Sequence, residues 1–465
     1  MAVHVQELTS SVHSVDAHGR VCLVDGAVRR AVSAELHGAL LALAGRGGLE
    51  RLHGAGLVRT QVLPAGAMGS EGLGEHQLEH ERLPFVSYPQ EWTLPMLRDA
   101  GVCTLEMAIA LQREGLALYD AHPYNVTFRH GRPVFLDASS IRAGGVMEKW
   151  WPEEFFSSFY APVRLRSINP LRRYLWPVAQ LVAHSEHHFA DFDSPRALAR
   201  TLAGRKRFGR LAWGYWRRAK GFKAGRNDRE RTIAYLSDLR DRLAGLSFPK
   251  RRSEWGGYKE PGGRYDQPES YSPKARAVET LLRRLPPGRL TDLACSKGWF
   301  AGLAATMGHT ALGVEIDANA VEAARPLAAE RRIDIACMNV IWPTPPQGRA
   351  LSYPSALERF ACDTLLMIAL MHHLVLRQGV SFRSLAAMAA AYGPRNLIIE
   401  WIPRDDVYVK NWPTEMGVSI PDWYTEENFV AALRAHFPKV DKVPSGEGHT
   451  EFRGPTSRVM YLFQR

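Results

Sequence analysis

Leu290 to Asp317 constrains the fold more than any other stretch of the chain: LTDLACSKGWFAGLAATMGHTALGVEID. A short apolar run, Leu290 to Ala294, turns through Cys295-Ser296-Lys297-Gly298, continues as an apolar helix-like segment and returns as a second apolar run, Ala311 to Ile316. The pattern is strand, tight loop, helix, strand. Small residues from Ala294 to Gly298 let backbone approach a ligand closely, and the N–H groups that open the following helix favour a polar or anionic group. Glu315 ends the second strand, 23 residues beyond Asp292. A carboxylate at that place can accept both hydroxyls of a ribose, as the acid about 20 positions past the Gly-rich turn does in nucleotide-binding βαβ units. Only Gly298 stands where a Gly-x-Gly-x-x-Gly fingerprint needs three glycines, so a dinucleotide pyrophosphate fits poorly.

The order Asp292-Leu293-Ala294-Cys295-Ser296-Lys297-Gly298-Trp299-Phe300 resembles the first motif of class I S-adenosylmethionine-dependent methyltransferases, and Gly313 to Asp317 resembles the acidic strand end that follows it. The usual Gly-x-Gly is relaxed to Ala294-x-Ser296, with Gly298 kept. The resemblance implies a Rossmann-like, seven-stranded α/β domain with S-adenosyl-L-methionine as cofactor. It places Asp292, Ala294, Cys295, Ser296 and Gly298 around the amino-acid part, Glu315 on the ribose and Asn339 at the adenine edge, with Trp299 and Ala369 also in the cofactor set. Asp317 either assists Glu315 or caps the next helix. The competing reading is an ordinary βαβ unit with a small-residue turn.

Strands and helices keep alternating downstream. Ala318 to Glu330 reads as a helix, Ile333 to Met338 and Thr364 to Leu370 as strands, Phe382 to Tyr392 as a helix, Asn396 to Ile402 as a strand and the region of Glu426 to Ala435 as a helix. The runs Lys439 to Val443 and Val459 to Phe463 have no helix between them and read as a closing hairpin. Such alternation predicts a parallel sheet wound on both sides, with ligands at the carboxyl ends of its strands. The fourth strand is expected to end in Ala369-Leu370-Met371-His372-His373, and a strand-end imidazole titrates in the range useful for taking a proton from a hydroxyl. A similar His-His closes this strand in many sugar and small-molecule methyltransferases. The resemblance therefore implies His372 or His373 as general base, with packing or helix capping as the alternative for one of them. The Asn-Pro-Pro-Tyr arrangement of N-methyltransferases is absent, which points to an oxygen acceptor. Two long connections, Ile341 to Leu357 and Arg404 to Tyr424, read as lids or as plain packing.

Upstream, Gly115 to Ile141 reads GLALYDAHPYNVTFRHGRPVFLDASSI. Asp120, Asn125 and Asp137 have the spacing by which kinase catalytic loops hold a base and a metal-binding pair. With the flanks His122-Pro123 and Gly131 to Asp137, this segment resembles the small-molecule branch of the protein-kinase-like fold, as in aminoglycoside phosphotransferases. No lysine precedes Lys149, no Gly-rich loop lies upstream, and Ala138-Ser139 follows Asp137 where Phe-Gly is usual. Arg59 has strand-like surroundings, but arginine does not replace the phosphate-binding lysine. The region reads as a vestigial phosphotransferase site or as a purely structural hairpin. Residues 1–100 read as a small mixed sheet with one helix near Val32 to Leu43, followed by a helix from Trp92 to Gly115.

A chain of 465 residues accommodates two to three domains. The boundaries read as a kinase-like α+β module (1–148), a helical, aromatic and basic segment (149–252), a Gly-Pro-Tyr linker (253–272) and the methyltransferase-like domain (273–465), opened by Ser272-Pro273 as helix N-cap and first turn. Tyr271, beside that helix, is a weak candidate contact for the cofactor. Five scattered cysteines without a CxxC pair suggest neither zinc nor disulfides, and no metal is expected. His184 and His188 lie one helical turn apart without a third ligand and read as surface histidines. The start has no apolar signal-peptide core, and no stretch is long and apolar enough to span a membrane, so a cytoplasmic enzyme is expected.

Net charge is +11, yet Arg196 to Arg252 alone holds 18 Lys or Arg against 4 Asp or Glu, a local +14. That stripe calls for an anionic partner, whether nucleic acid, a membrane surface or a phosphorylated substrate, centred on Arg205 to Lys223, or else is a solvated helical face. The whole reads as an S-adenosylmethionine-dependent O-methyltransferase acting on a glycan, a glycolipid precursor or another anionic small molecule. A kinase-like segment joined to a methyltransferase resembles bacterial enzymes of surface-glycan and nodulation-factor pathways. Two alternatives are a bifunctional methyltransferase-phosphotransferase and an RNA methyltransferase that grips through the basic segment.

Overall fold

The computed structural model describes residues 5–7, 20–67, 74–168, 206–248, 262–347, 353–445 and 458–465. His184, His188, Arg205 and residues 253–261 lie outside them. The architecture is mixed α/β.

The N-terminal part builds a five-stranded antiparallel sheet in the order β1 (Val5–Glu7), β2 (Val21–Val24), β3 (Ala27–Ala31), β5 (Gln77–His80), β4 (Thr60–Val62). Two helices sit between β3 and β4, α1 (Ala34–Ala44) and α2 (Gly48–Gly54). This corrects the expected mixed sheet with one helix. The left-handed Gly47 (φ 71°) breaks the periodicity, and seven residues are too few to show a helical repeat. Helix α3 (Leu94–Arg113) starts on Thr93, whose hydroxyl accepts the Met96 N–H, and stops before the left-handed Gly115. Beyond it, β6 (Ala117–Leu118) pairs with β9 (Ile141–Arg142) around the hairpin β7 (Val126–Arg129) and β8 (Arg132–Phe135). Helices α4 (Lys206–Gly225) and α5 (Arg229–Ala244) follow, and α5 lies along α3, where a Cβ on Gly101 would come within 2.8 Å of Leu243.

After α6 (Pro273–Leu282), capped by Ser272, comes a seven-stranded sheet. In chain order its strands are β10 (Arg289–Leu293), β11 (Thr310–Glu315), β12 (Asp334–Cys337), β13 (Thr364–Met367), β14 (Asn396–Trp401), β15 (Lys439–Pro444) and β16 (Val459–Gln464). Across the sheet they run β12-β11-β10-β13-β14-β16-β15, with every neighbour parallel except the antiparallel β16. Helices α7 (Trp299–Thr306), α8 (Ala318–Arg331), α9 (Phe382–Ala391) and α10 (Glu426–Arg434) are its connections and cover. Both faces of the central strands are covered, so β13 and β14 are buried at every residue and read as continuous apolar runs. Chain order reverses between β10 and β13, which opens a crevice at their carboxyl ends.

The two parts share one apolar core that runs from Val32 to Leu462. Hairpin β7–β8 covers the outer edge at β12: Arg129 pairs with the buried Asp334 at 2.8 Å, and the His130 N–H donates to the same carboxylate. Arg325 of α8 reaches Asp99 of α3 at 2.6 Å. Arg359 forms a buried bidentate pair with Glu91 and lies 3.6 Å over the Tyr88 ring. Residues 262–271, part of the expected linker, are anchored at Gly262, Gly263, Tyr265 and Tyr271, while Arg264, Asp266 and 268–270 are exposed. A Cβ on Gly262 would fall 1.8 Å from Trp299, whose Nε1 donates to Gly263 O at 2.9 Å.

Candidate active site

At the crevice the loop after β10 winds through three left-handed residues, Ala294 (φ 60°), Ser296 (φ 53°) and Gly298 (φ 84°). A non-glycine residue in that region costs on the order of 1 kcal/mol, and such strain collects at functional sites. The loop lies against β11, where Cys295 N–H donates to Val314 O at 3.1 Å. Gly313 makes room, since a Cβ there would sit 2.6 Å from Cys295 Sγ. Asp292 is buried within β10 below the loop. Trp299 opens α7 stacked on Tyr265 at 5.2 Å, with Tyr271 edge-on at 5.3 Å, so those rings pack on one another.

Glu315 closes β11, 4% exposed. One carboxylate oxygen accepts the Ser296 N–H at 2.8 Å and the other the Asp317 N–H at 2.9 Å. Burial raises its pKa, against the pull of those N–H groups. The Ile316 N–H also bears on the carboxylate, which keeps lone-pair capacity for a further donor. Ser296 Oγ, beside it, is buried with no hydrogen-bond partner among the described residues. Asp317 caps α8 by accepting the Asn319 N–H at 2.8 Å. Asn339 turns the chain after β12, its Oδ1 taking the Ile341 N–H at 3.0 Å. Two residues that the sequence reading missed stand next to these strand ends: Ile316 is 56% exposed and Trp342 78% exposed. For Ile316 the available signal was an apolar residue directly after the acidic strand end; Trp342, three residues past Asn339, gave none.

Strand β13 ends at Met367, and Ala369 turns left-handed (φ 51°), so His372 and His373 open the following helical turn and do not finish the strand as expected. The turn is held from below, where Ala369 N–H donates to Glu400 at 3.0 Å. Glu400 is fully buried with Lys274 at 3.1 Å and Ser445 at 3.2 Å. Arg458 beside them is locked to Asp406 at 2.7 and 3.0 Å, and despite its burial Asp406 keeps a pKa below the ordinary carboxylate value through that contact. Asp406, Trp412 and Tyr424 are all buried, which pins the connection 404–424 at three points.

His372 is buried, 4.0 Å from His373 and 5.4 Å from Trp412 between ring centres, with Nδ1 unpartnered. Burial, then the charges of His373, Arg458, Lys274 and Arg377, push its pKa well below the usual imidazole value. His373 is half-buried, and Arg377 lies 3.5 Å from its Nδ1.

The second predicted cluster also comes together. Asp120 accepts from Asn125 Nδ2 and Ser140 Oγ, both at 2.5 Å, and burial raises its pKa. Asp137 accepts from Ser139 N–H at 3.1 Å and Ser139 Oγ at 2.5 Å, and pairs with Arg30 at 2.6 Å. Arg30 sits on β3 and also donates to Ser139 Oγ at 2.8 Å. The cation facing this cluster is therefore Arg30, whereas Arg59 points to the exposed Glu50 at 2.8 Å. Among the described residues no group of three or more His, Cys, Asp or Glu is placed to hold a metal ion.

The C-terminal half resembles class I S-adenosylmethionine-dependent methyltransferases. It is joined to a segment that resembles the kinase-like catalytic loop. No family model matches the chain. It is 26% identical over 408 residues to nodulation protein NoeA of Rhizobium meliloti (strain 1021), covering 83% of this chain and 82% of that protein. Among solved structures, the 2.2 Å crystal structure of WbdD, a bifunctional kinase-methyltransferase, aligns with TM-score 0.31 and 20% identity over 45% of each chain. The PH0226 protein from Pyrococcus horikoshii OT3 aligns with TM-score 0.32 and 14% identity over 46% of this chain and 99% of that one. This chain spans under half the length of the WbdD chains, and likenesses at these scores do not discriminate among functions.

Proposed function

We propose that the chain is an S-adenosylmethionine-dependent methyltransferase that methylates an oxygen of a small-molecule, glycan or glycolipid-precursor acceptor. The observation that carries this reading is Glu315, buried at a strand end with lone pairs still free for a ribose diol, beside a strained loop and the orphaned Ser296 hydroxyl. These residues fit the cofactor: Glu315 for the ribose, Ser296 and the backbone of Ala294 to Gly298 for the amino-acid part, and Asn339 for the adenine edge. Ile316 and Trp342 supply apolar surface for the adenine faces. Asp317 and Trp299 act indirectly, the first as a helix cap and the second by seating residues 262–271.

When bound, the cofactor supplies an already activated methyl group on its sulfonium. The protein aligns the acceptor, excludes water and takes one proton. Of the two histidines, His373 is taken as the base, because burial, then the charges of His373, Arg458, Lys274 and Arg377, oppose an imidazolium on His372. His372 stays neutral and orients its neighbour. The Glu400–Lys274 pair fixes the turn that presents both rings.

The N-terminal cluster is read as vestigial. Arg30 supplies to Asp137 the positive charge that a divalent cation provides in a working phosphotransferase. A crystal soaked with S-adenosylhomocysteine tests the main reading: density between Ser296 and Glu315 is expected, and density elsewhere removes the assignment.

A further inference from the structure

From Trp213 on, helix α4 is buried along one face among the described residues. Tyr215, Ala219 and Phe222 are buried; Tyr215 lies 4.5 Å from the Phe156 ring and donates its hydroxyl to Pro152 O at 2.6 Å, while Phe222 packs on Tyr235 at 4.8 Å. At 100° per residue the opposite line is Trp213, Arg217, Lys220 and Ala224, and all four are exposed, Trp213 at 53%. Trp216 flanks the line, its ring 5.0 Å from that of Trp213 and 4.1 Å from the Lys220 ammonium. The helix holds seven Lys or Arg and no acid. Arg218 and Lys223 are satisfied by Asp238 and Glu153, whereas Arg217 and Lys220 have no acidic partner among the described residues.

We propose that this face docks on an anionic lipid surface, with Trp213 and Trp216 at headgroup depth and Arg217 and Lys220 reaching lipid phosphates. The inference stands apart from the methyltransferase reading. Paired indoles beside uncompensated cations suit the membrane boundary, where one end of a tryptophan is apolar and the other wet. A merely solvated face would intersperse acids with its bases and has no reason to expose an indole. A single-stranded nucleic acid would need open ring faces for its bases. Here Lys220 and Trp213 crowd Trp216 instead. No described helix is long and apolar enough to cross a membrane, so the contact is peripheral.

Co-sedimentation of the full chain with vesicles tests this, using phosphatidylcholine alone and phosphatidylcholine mixed with phosphatidylglycerol, at low and high salt. Binding to the mixed vesicles only, weakened by salt, is expected. The R217E/K220E and W213S/W216S variants should each bind roughly tenfold less, with unchanged melting temperature. Absent binding, equal binding to neutral vesicles, or variants that bind like wild type would overturn the proposal. So would a single-stranded RNA of the same charge that is bound while vesicles are not. If a variant's melting temperature falls, soluble phosphatidylglycerol headgroup analogue competing wild type off the vesicles decides instead: competition supports the lipid contact and none refutes it.

Discussion

Two clusters of acids, one in each half, differ in what they leave open. At Asp137 the counter-charge is internal: Arg30 and Ser139 meet the carboxylate, and Asn125 and Ser140 meet Asp120. At Glu315 only backbone N–H groups meet the carboxylate, the adjacent serine hydroxyl is buried without a partner among the described residues, and the loop is held in left-handed turns. The first carboxylate already has a cation from its own chain, although Arg30 Nε is buried without a hydrogen bond among the described residues; the second carboxylate has none, as the proposed binding site requires. Motif spacing alone does not separate these cases. What separates them is whether the fold has already supplied the counter-charge.

The largest expected effect tests the open cluster. Glu315→Ala should weaken S-adenosylhomocysteine binding at least about a hundredfold by calorimetry, since two charge-assisted hydrogen bonds to the ribose are lost. Unchanged affinity would remove Glu315 from the site. Next, the brace between the halves can be cut. Glu91→Ala strands a buried guanidinium on Arg359 and should lower unfolding free energy by about 3–5 kcal/mol in urea titrations, whereas an exposed pair such as Arg59–Glu50 should contribute little when broken. A smaller effect tests the closed cluster. Arg30→Met removes the internal cation and should let Mn²⁺ enhance water proton relaxation where wild type does not; no gain would show that Asp120 and Asp137 are not preformed for a cation.

The smallest effect concerns pH. Burial lowers the pKa of His80 to about 3 and that of His372 well below its ordinary value. A depressed folded-state pKa contributes stability that is present above the unfolded value near 6.5 and is lost as pH falls toward the folded one. His80→Asn should therefore flatten the stability profile below about pH 6 by up to roughly 1.4 kcal/mol per pH unit. An unaltered slope would mean that His80 is not buried neutral.

Much of the C-terminal half was legible because strands covered on both faces become unbroken apolar runs, and because Glu315 follows such a run directly. Its loop glycine and the closing hairpin could be read for the same local reasons. What escaped is non-local. Arg30 and Asp137 are 107 residues apart, Lys274 and Glu400 meet only once helix α6 lies under the sheet, and Arg458 reaches Asp406 from the last strand. The two histidines were placed in the right neighbourhood but on the wrong element, because Ala369 adopts a conformation that alanine rarely signals. Residues 262–271 looked loose by composition, yet Gly262 is what allows Trp299 to pack so closely.

Calorimetry on one preparation, titrated separately with S-adenosylhomocysteine and with magnesium ATP, is the most direct trial of the contrast between the clusters. Saturable one-to-one binding of the first and no heat from the second is the predicted result. Binding of the nucleotide triphosphate with none of the homocysteine derivative would contradict it.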